Sequence, residues 1–126
     1  MGGYFMAKIM LCDDAAFMRM SLKKIVEGAG HQVIAEAGTG IEAVTKYKEY
    51  KPDIVLMDIT MPELDGIEAT KQIHEFNPMA CIIMVSAMGH QDKVFAAIKS
   101  GAKDFVVKPF QADKIIACIK KNYVEV

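Results

Sequence analysis

Five short apolar runs alternate with longer amphipathic ones along this chain, and that alternation leaves very few folds open to it. The short runs are Lys8 to Cys12, Gln32 to Ala37, Ile54 to Met57, Cys81 to Val85 and Phe105 to Val107. Each has the length of a strand. The first, third and fourth are essentially apolar, as parallel strands covered on both faces must be. Gln32 to Ala37 and Phe105 to Lys108 mix polar with apolar residues, which suits the edges of a sheet.

Between the runs, apolar residues recur at helical spacing. Met18, Leu22, Ile25, Val26 and Ala29 form one stripe, and Gly28 and Gly30 offer it a stop. Thr39-Gly40-Ile41-Glu42 matches a capping box, in which a threonine and a glutamate three residues on satisfy the free N–H groups of a helix start. The helix it opens must end before Pro52. Ala69, Ile73 and Phe76 form a third stripe closed by Asn77-Pro78, and Val94, Ala97 and Ile98 a fourth closed by Gly101. Ala112, Ile116, Ile119 and Tyr123 form the fifth. Five strands alternating with five helices make an α/β fold around a parallel sheet. Right-handed crossovers wind it into a doubly wound (βα)5 three-layer sandwich.

A chain of 126 residues with no internal repeat and no low-complexity linker reads as one domain. That domain is expected to start at Met6 and run to residue 126, with residues 1–5 an extension or a cloning remnant. The 15 basic and 16 acidic side chains nearly cancel, leaving a net charge of -1. No strong field results, which argues against nucleic-acid binding and against a polybasic membrane anchor. No apolar stretch approaches the ~20 residues of a membrane span. Cys12, Cys81 and Cys118 form no Cys-x-x-Cys pair and read as free thiols, which fits a cytoplasmic protein. His31, His74 and His90 match no zinc spacing. Gly38 and Gly40 are not part of a dinucleotide-binding loop, because Ala43 stands where a third glycine is needed.

The informative residues are those at which the strands end. The first run ends in Asp13-Asp14, the third in Asp58, the fourth in Ser86 and the fifth in Lys108-Pro109. The carboxyl ends of parallel strands form the ligand crevice of an open sheet, so three carboxylates, a hydroxyl and an ammonium are expected to meet there. Taken singly, each is better read as a helix cap or a strand emerging into water. Taken together, three close carboxylates repel unless a cation sits among them. All-oxygen ligands of this kind suit a hard divalent ion, most naturally Mg2+.

Asp13-Asp14, Asp58 followed by Thr60-Met61-Pro62 and Asp65-Gly66, Ser86-Ala87, and Lys108-Pro109-Phe110 together resemble a response-regulator receiver domain. The stretch Asp13 to Arg19 and the stand-alone length are most similar to the chemotaxis members of that family. The resemblance covers the chain from Met6 onward and implies the flavodoxin-like strand order 2-1-3-4-5. It implies that Asp58 is the phosphoacceptor, that Asp13, Asp14, Asp58 and the backbone carbonyl of Thr60 hold one Mg2+, and that Lys108 neutralises the phosphoryl oxygens. A cis Lys108-Pro109 peptide is part of the family pattern. Ser86 and Phe105 are implied as the switch pair, with Phe in place of the commoner Tyr at 105 removing a hydroxyl. Read without the family, Phe105 is equally well an ordinary strand aromatic. Thr60 and Met88 stand where related domains tune water access to the phosphoryl group.

The function implied is a signalling receiver rather than an enzyme with external substrates. Its expected partners are a histidine kinase of the chemotaxis type, a phosphatase, and the flagellar motor switch protein or another target. The target would dock on the face of the fourth helix, fifth strand and fifth helix. There Phe95 stands off the core stripe, and Lys99, Lys103, Lys120 and Lys121 add charge. A monomer is expected, with no nucleic-acid or membrane partner. Two alternatives remain at this point: a phosphorelay or sporulation-type receiver that passes its phosphate on, and an aspartyl-phosphate phosphohydrolase. The second is weakened by Thr60, because haloacid-dehalogenase-type enzymes carry a second aspartate there. A flavodoxin-like flavin protein is disfavoured because Asp13-Asp14 would repel the flavin phosphate.

Overall fold

A computed structural model describes residues 6–87 and 89–123, so the readings made for residues 1–5 and for Met88 lie outside the described residues. The elements alternate without exception: β1 (Lys8–Cys12), α1 (Ala16–Gly28), β2 (Gln32–Ala37), α2 (Gly40–Tyr50), β3 (Ile54–Asp58), α3 (Gly66–Phe76), β4 (Ile82–Ala87), α4 (Gln91–Lys99), β5 (Asp104–Lys108) and α5 (Ala112–Asn122). All pairings are parallel and the strand order is β2-β1-β3-β4-β5. The two mixed runs are the edge strands, as their composition predicts.

Side chains alternate across the pleat and both faces are covered. Met10, Cys12, Val55, Met57, Ile82 and Met84 point toward α2, α3 and α4. Ile9, Leu11, Ile54, Leu56, Ile83 and Val85 point toward α1 and α5. This double burial explains why the central strands are apolar at every position: β3 is buried along all five residues, including Asp58. β5, lacking a neighbour on its outer edge, alternates between half-buried and exposed. No helix among the described residues is long and apolar enough to cross a membrane.

Local signals are realised with informative variations. The Thr39 hydroxyl accepts the Glu42 N–H at 3.1 Å, while the Glu42 carboxylate turns to the Gly38 N–H at 2.8 Å. α2 ends as expected before Pro52, but through Lys51 in a left-handed conformation (φ 47°), a place that glycine usually takes. Three stripe assignments need correction. Phe76 and Ile98 have helical spacing but lie at the rim, 46% and 41% exposed. The Phe76 ring instead meets Tyr47 edge-on and carries Lys48 Nζ 5.6 Å from its centroid. On α5 the buried residues are Ile115 and Ile119, while Ala112 is exposed and Ile116 only half-buried. Adjacent isoleucines made two phases possible, and packing against α1 and the sheet selects the one containing Ile115.

Candidate functional site

The carboxyl edge of the sheet gathers the strand-end residues. Asp13 follows β1, Asp58 ends β3, Ser86 lies near the end of β4 and Lys108 ends β5. Asp13, Asp14 and Asp58 each offer a carboxylate oxygen within 4.8 Å of the others. Asp13 and Asp58 are buried and Asp14 is exposed, so the cluster opens to water on one side. Lys108 reaches across from the edge strand, placing Nζ 3.2 Å from Asp13 Oδ2 and 3.6 Å from Asp58 Oδ1. The Lys108-Pro109 peptide is cis.

Three negative groups facing one ammonium leave the site short of positive charge. Burial pushes the Asp58 carboxyl above the usual carboxylate range, and Asp13 adds to the rise. Lys108 and a hydrogen bond donated by the Thr60 backbone N–H offset this only in part. A hard divalent cation fits such a donor set: the ligands are all oxygen, anionic, close together and open on one side. Thr60 is exposed, one residue past the strand's outward turn.

Tight backbone approaches hold the loop after β3. Gly66 begins α3 and donates its N–H to Ile59 O at 2.7 Å. A methyl group on Gly66 would collide with the Asp58 carbonyl, and one on Gly40 with the Leu64 carbonyl. Asp65 caps α3, its Oδ1 accepting the Glu68 N–H at 2.9 Å. Sequence reading placed Asp65-Gly66 in the motif but did not single out either glycine as structurally obligatory. Only the fold brings Gly40 against the loop that carries Leu64.

Ser86 is buried and opens onto a cavity of about 370 Å3 whose walls include Ala87, Val94, Phe95, Ile98 and Phe105. The Phe105 ring is turned outward, 44% exposed, and Phe95 is 71% exposed. The four lysines named for this face are all exposed, but Lys121 is engaged with Asp104, its Nζ 3.5 Å from Oδ2. Of the histidines, His74 and His90 each bury an Nδ1 that makes no hydrogen bond among the described residues. His31 Nδ1 accepts the Ala7 N–H at 3.0 Å. The three thiols are free, and burial raises Cys12 and Cys81 and pushes Cys118 up to about 12. These shifts favour the protonated thiol, the less nucleophilic form.

A parallel 2-1-3-4-5 sheet with three carboxylates and a lysine converging at its carboxyl edge defines a doubly wound domain whose acidic crevice could hold a metal ion. The response regulator receiver domain model matches residues 9–120, and the chain belongs to that family, within which it is CheY-like. It is 57% identical over 115 residues to the chemotaxis protein CheY of Bacillus subtilis, covering 91% of this chain and 96% of that protein. The similarity to CheY of Thermotoga maritima is 57% over 114 residues, 90% of this chain and 95% of the relative. Among solved structures, a chain of the CheX–CheY–BeF3–Mg2+ complex from Borrelia burgdorferi aligns with a TM-score of 0.89 at 38% identity, covering 94% of this chain and 90% of that one. The response regulator domain of Thermotoga maritima CheB aligns with a TM-score of 0.87 at 36% identity, covering 94% and 96%. The chain is thus a chemotaxis-type response regulator of two-component signalling.

Proposed function

We propose that this receiver accepts a phosphoryl group on Asp58 from a histidine kinase, with Mg2+ as the required ion, and that the phosphorylated form changes its affinity for a target. The arrangement that carries the proposal is Asp58 at the end of β3, with Lys108 Nζ at 3.6 Å and two further carboxylates within 4.8 Å. An Asp58 carboxylate oxygen attacks phosphorus. The bond from phosphorus to the donor imidazole nitrogen breaks, and the departing nitrogen keeps the electron pair and takes a proton. Lys108 faces the charge that builds on the phosphoryl oxygens, where electrostatic stabilisation does most of the work. Asp13, Asp14, Asp58 and the Thr60 carbonyl would hold the ion, which supplies the positive charge that one lysine cannot.

The readout runs through Ser86 and Phe105. Ser86 bonding the phosphoryl group would vacate room beside the cavity that it shares with Phe105, and inward rotation of the ring would reshape the face carrying Phe95. The target we favour is the flagellar motor switch, bound through α4, β5 and α5 by a monomer working in the cytoplasm. The Borrelia complex supports a CheX-like protein as a second partner. The test is phosphate transfer from a phosphorylated chemotaxis kinase in Mg2+. Wild type should take up label and Asp58→Asn should not; equal labelling of the two would remove Asp58 from this role.

A further inference from the structure

Arg19 lies outside the cluster that meets the phosphoryl group, yet its guanidinium binds the turn that presents two of the three carboxylates. Its Nη1 donates to the Asp13 carbonyl at 2.6 Å and its Nε donates to Glu36 Oε1 at 3.0 Å. Glu36 is itself fixed: it belongs to β2, and Lys46 Nζ from α2 donates to its backbone carbonyl at 2.6 Å. The fork of Arg19 therefore ties the β1–α1 turn to the neighbouring strand, a two-point geometry that a lysine cannot reproduce.

Every other polar group of Asp13 is also engaged. Its N–H donates to Ala37 O at 3.0 Å, Oδ1 accepts the Ala15 N–H at 2.9 Å, and Oδ2 accepts Lys108 Nζ at 3.2 Å. Asp14 differs: it is exposed, and among the described residues no hydrogen bond or ion pair holds its side chain. The Asp13 carbonyl belongs to the peptide unit joining Asp13 to Asp14. Whatever fixes that carbonyl fixes the direction in which the Asp14 side chain leaves the backbone.

We infer that Arg19 is a positioning residue for the divalent cation, holding the Asp13–Asp14 peptide so that both carboxylates face Asp58. The inference rests on the Mg2+ reading given above. Its sign is unusual. A guanidinium near a cation site is repulsive by charge alone, and the Glu36 carboxylate offsets that charge. Electrostatics therefore predicts that removing Arg19 tightens Mg2+ binding, whereas positioning predicts that it weakens.

The test is calorimetric titration of the full chain with MgCl2, for wild type, Arg19→Ala and Arg19→Lys, with thermal melts in EDTA run alongside. Loss of an outer partner of a metal ligand typically weakens affinity by roughly ten- to a hundredfold, and Arg19→Ala should fall in that range. Arg19→Lys keeps the charge but has one point donor, and should recover only part of the loss. It also keeps the inference testable if Arg19→Ala fails to fold. Mg2+ affinity in Arg19→Ala equal to or tighter than wild type, with or without a lower Tm, would overturn the inference and leave the metal reading standing. So would full recovery by Arg19→Lys. A wild-type protein that binds no Mg2+ would overturn both.

Discussion

Asp58 and Asp104 are aspartates of the same sheet, placed at opposite edges and treated in opposite ways. Asp58 closes β3 at the carboxyl edge; Asp104 opens β5 at the amino edge. Burial pushes both carboxyls up. At Asp58 the neighbouring Asp13 pushes further, and Lys108 and the Thr60 N–H do not restore the balance. At Asp104 the Asn122 amide at 2.9 Å, the Phe105 N–H at 2.8 Å, the Cys118 thiol and the Lys121 ammonium more than offset burial, so its carboxyl lies below the ordinary range. One carboxylate is fully served by its own chain. The other keeps a burial and like-charge burden that its neighbours do not offset. The contrast locates function better than burial or residue type alone, since perturbed groups of both kinds occur in folded proteins.

The comparison breaks most visibly in phosphorylation. Asp58→Asn should lower phosphate uptake on the order of a thousandfold or more, as loss of a nucleophile does, while Asp104→Asn should stay within about twofold of wild type. Measurement with a small phosphodonor such as acetyl phosphate would show it, and similar losses in both variants would erase the distinction. Next in size is metal binding. Asp14→Ala should weaken Mg2+ at least tenfold, roughly the scale set by loss of a supporting ligand contact, and Asp104→Asn should leave it unchanged by calorimetry.

Stability should move in opposite directions. In EDTA at neutral pH, Asp58→Asn should stabilise the protein by about 1–2 kcal/mol, because it removes a buried charge that lacks compensation. Asp104→Ala should destabilise it by about 1 kcal/mol, the worth of a few partly exposed hydrogen bonds. The pH dependences differ in sign as well. The raised carboxyl of Asp58 binds its proton more tightly folded than unfolded, so stability falls as pH climbs from about 4 through its native value. The gain from Asp58→Asn should accordingly vanish below pH ~4. The depressed carboxyl of Asp104 contributes stability that is present above pH ~4 and lost as pH falls through its lower native value. Urea melts between pH 3 and 7 would check both slopes, and slopes of the same sign would contradict the assignment. The smallest effect concerns Phe105. With 44% of its surface exposed, Phe105→Ala should barely move stability or phosphorylation rate yet change target affinity severalfold, as truncation of an interface aromatic does.

The strands were legible because a parallel sheet buried on both faces demands continuous apolar runs, which a linear reading detects. The edge strands were legible for the complementary reason. The acidic cluster was legible because each member sits where an apolar run stops. Less legible was anything decided by packing between elements distant in sequence. Ile115 and Ile116 are equally apolar, and only the neighbouring helix and sheet choose between them. Phe76 and Ile98 have core spacing but reach the rim before they find the core. Lys51 occupies a left-handed cap without the glycine that would announce it. Arg19 stood in the motif with no assigned task, because its partner Glu36 lies on the next strand and meets it only once β1 and β2 pair. Asp104 reads as a loop aspartate until Asn122 is brought beside it.

Asp58 is the single acceptor in the proposed mechanism, and intact-mass spectrometry after incubation with acetyl phosphate and Mg2+ tests this role most directly. Wild type should gain one phosphoryl group, borohydride reduction of the acyl phosphate should mark Asp58 in the peptide map, and EDTA should abolish the gain. Modification that persists in Asp58→Asn at the wild-type rate, or that maps to another residue, would contradict it.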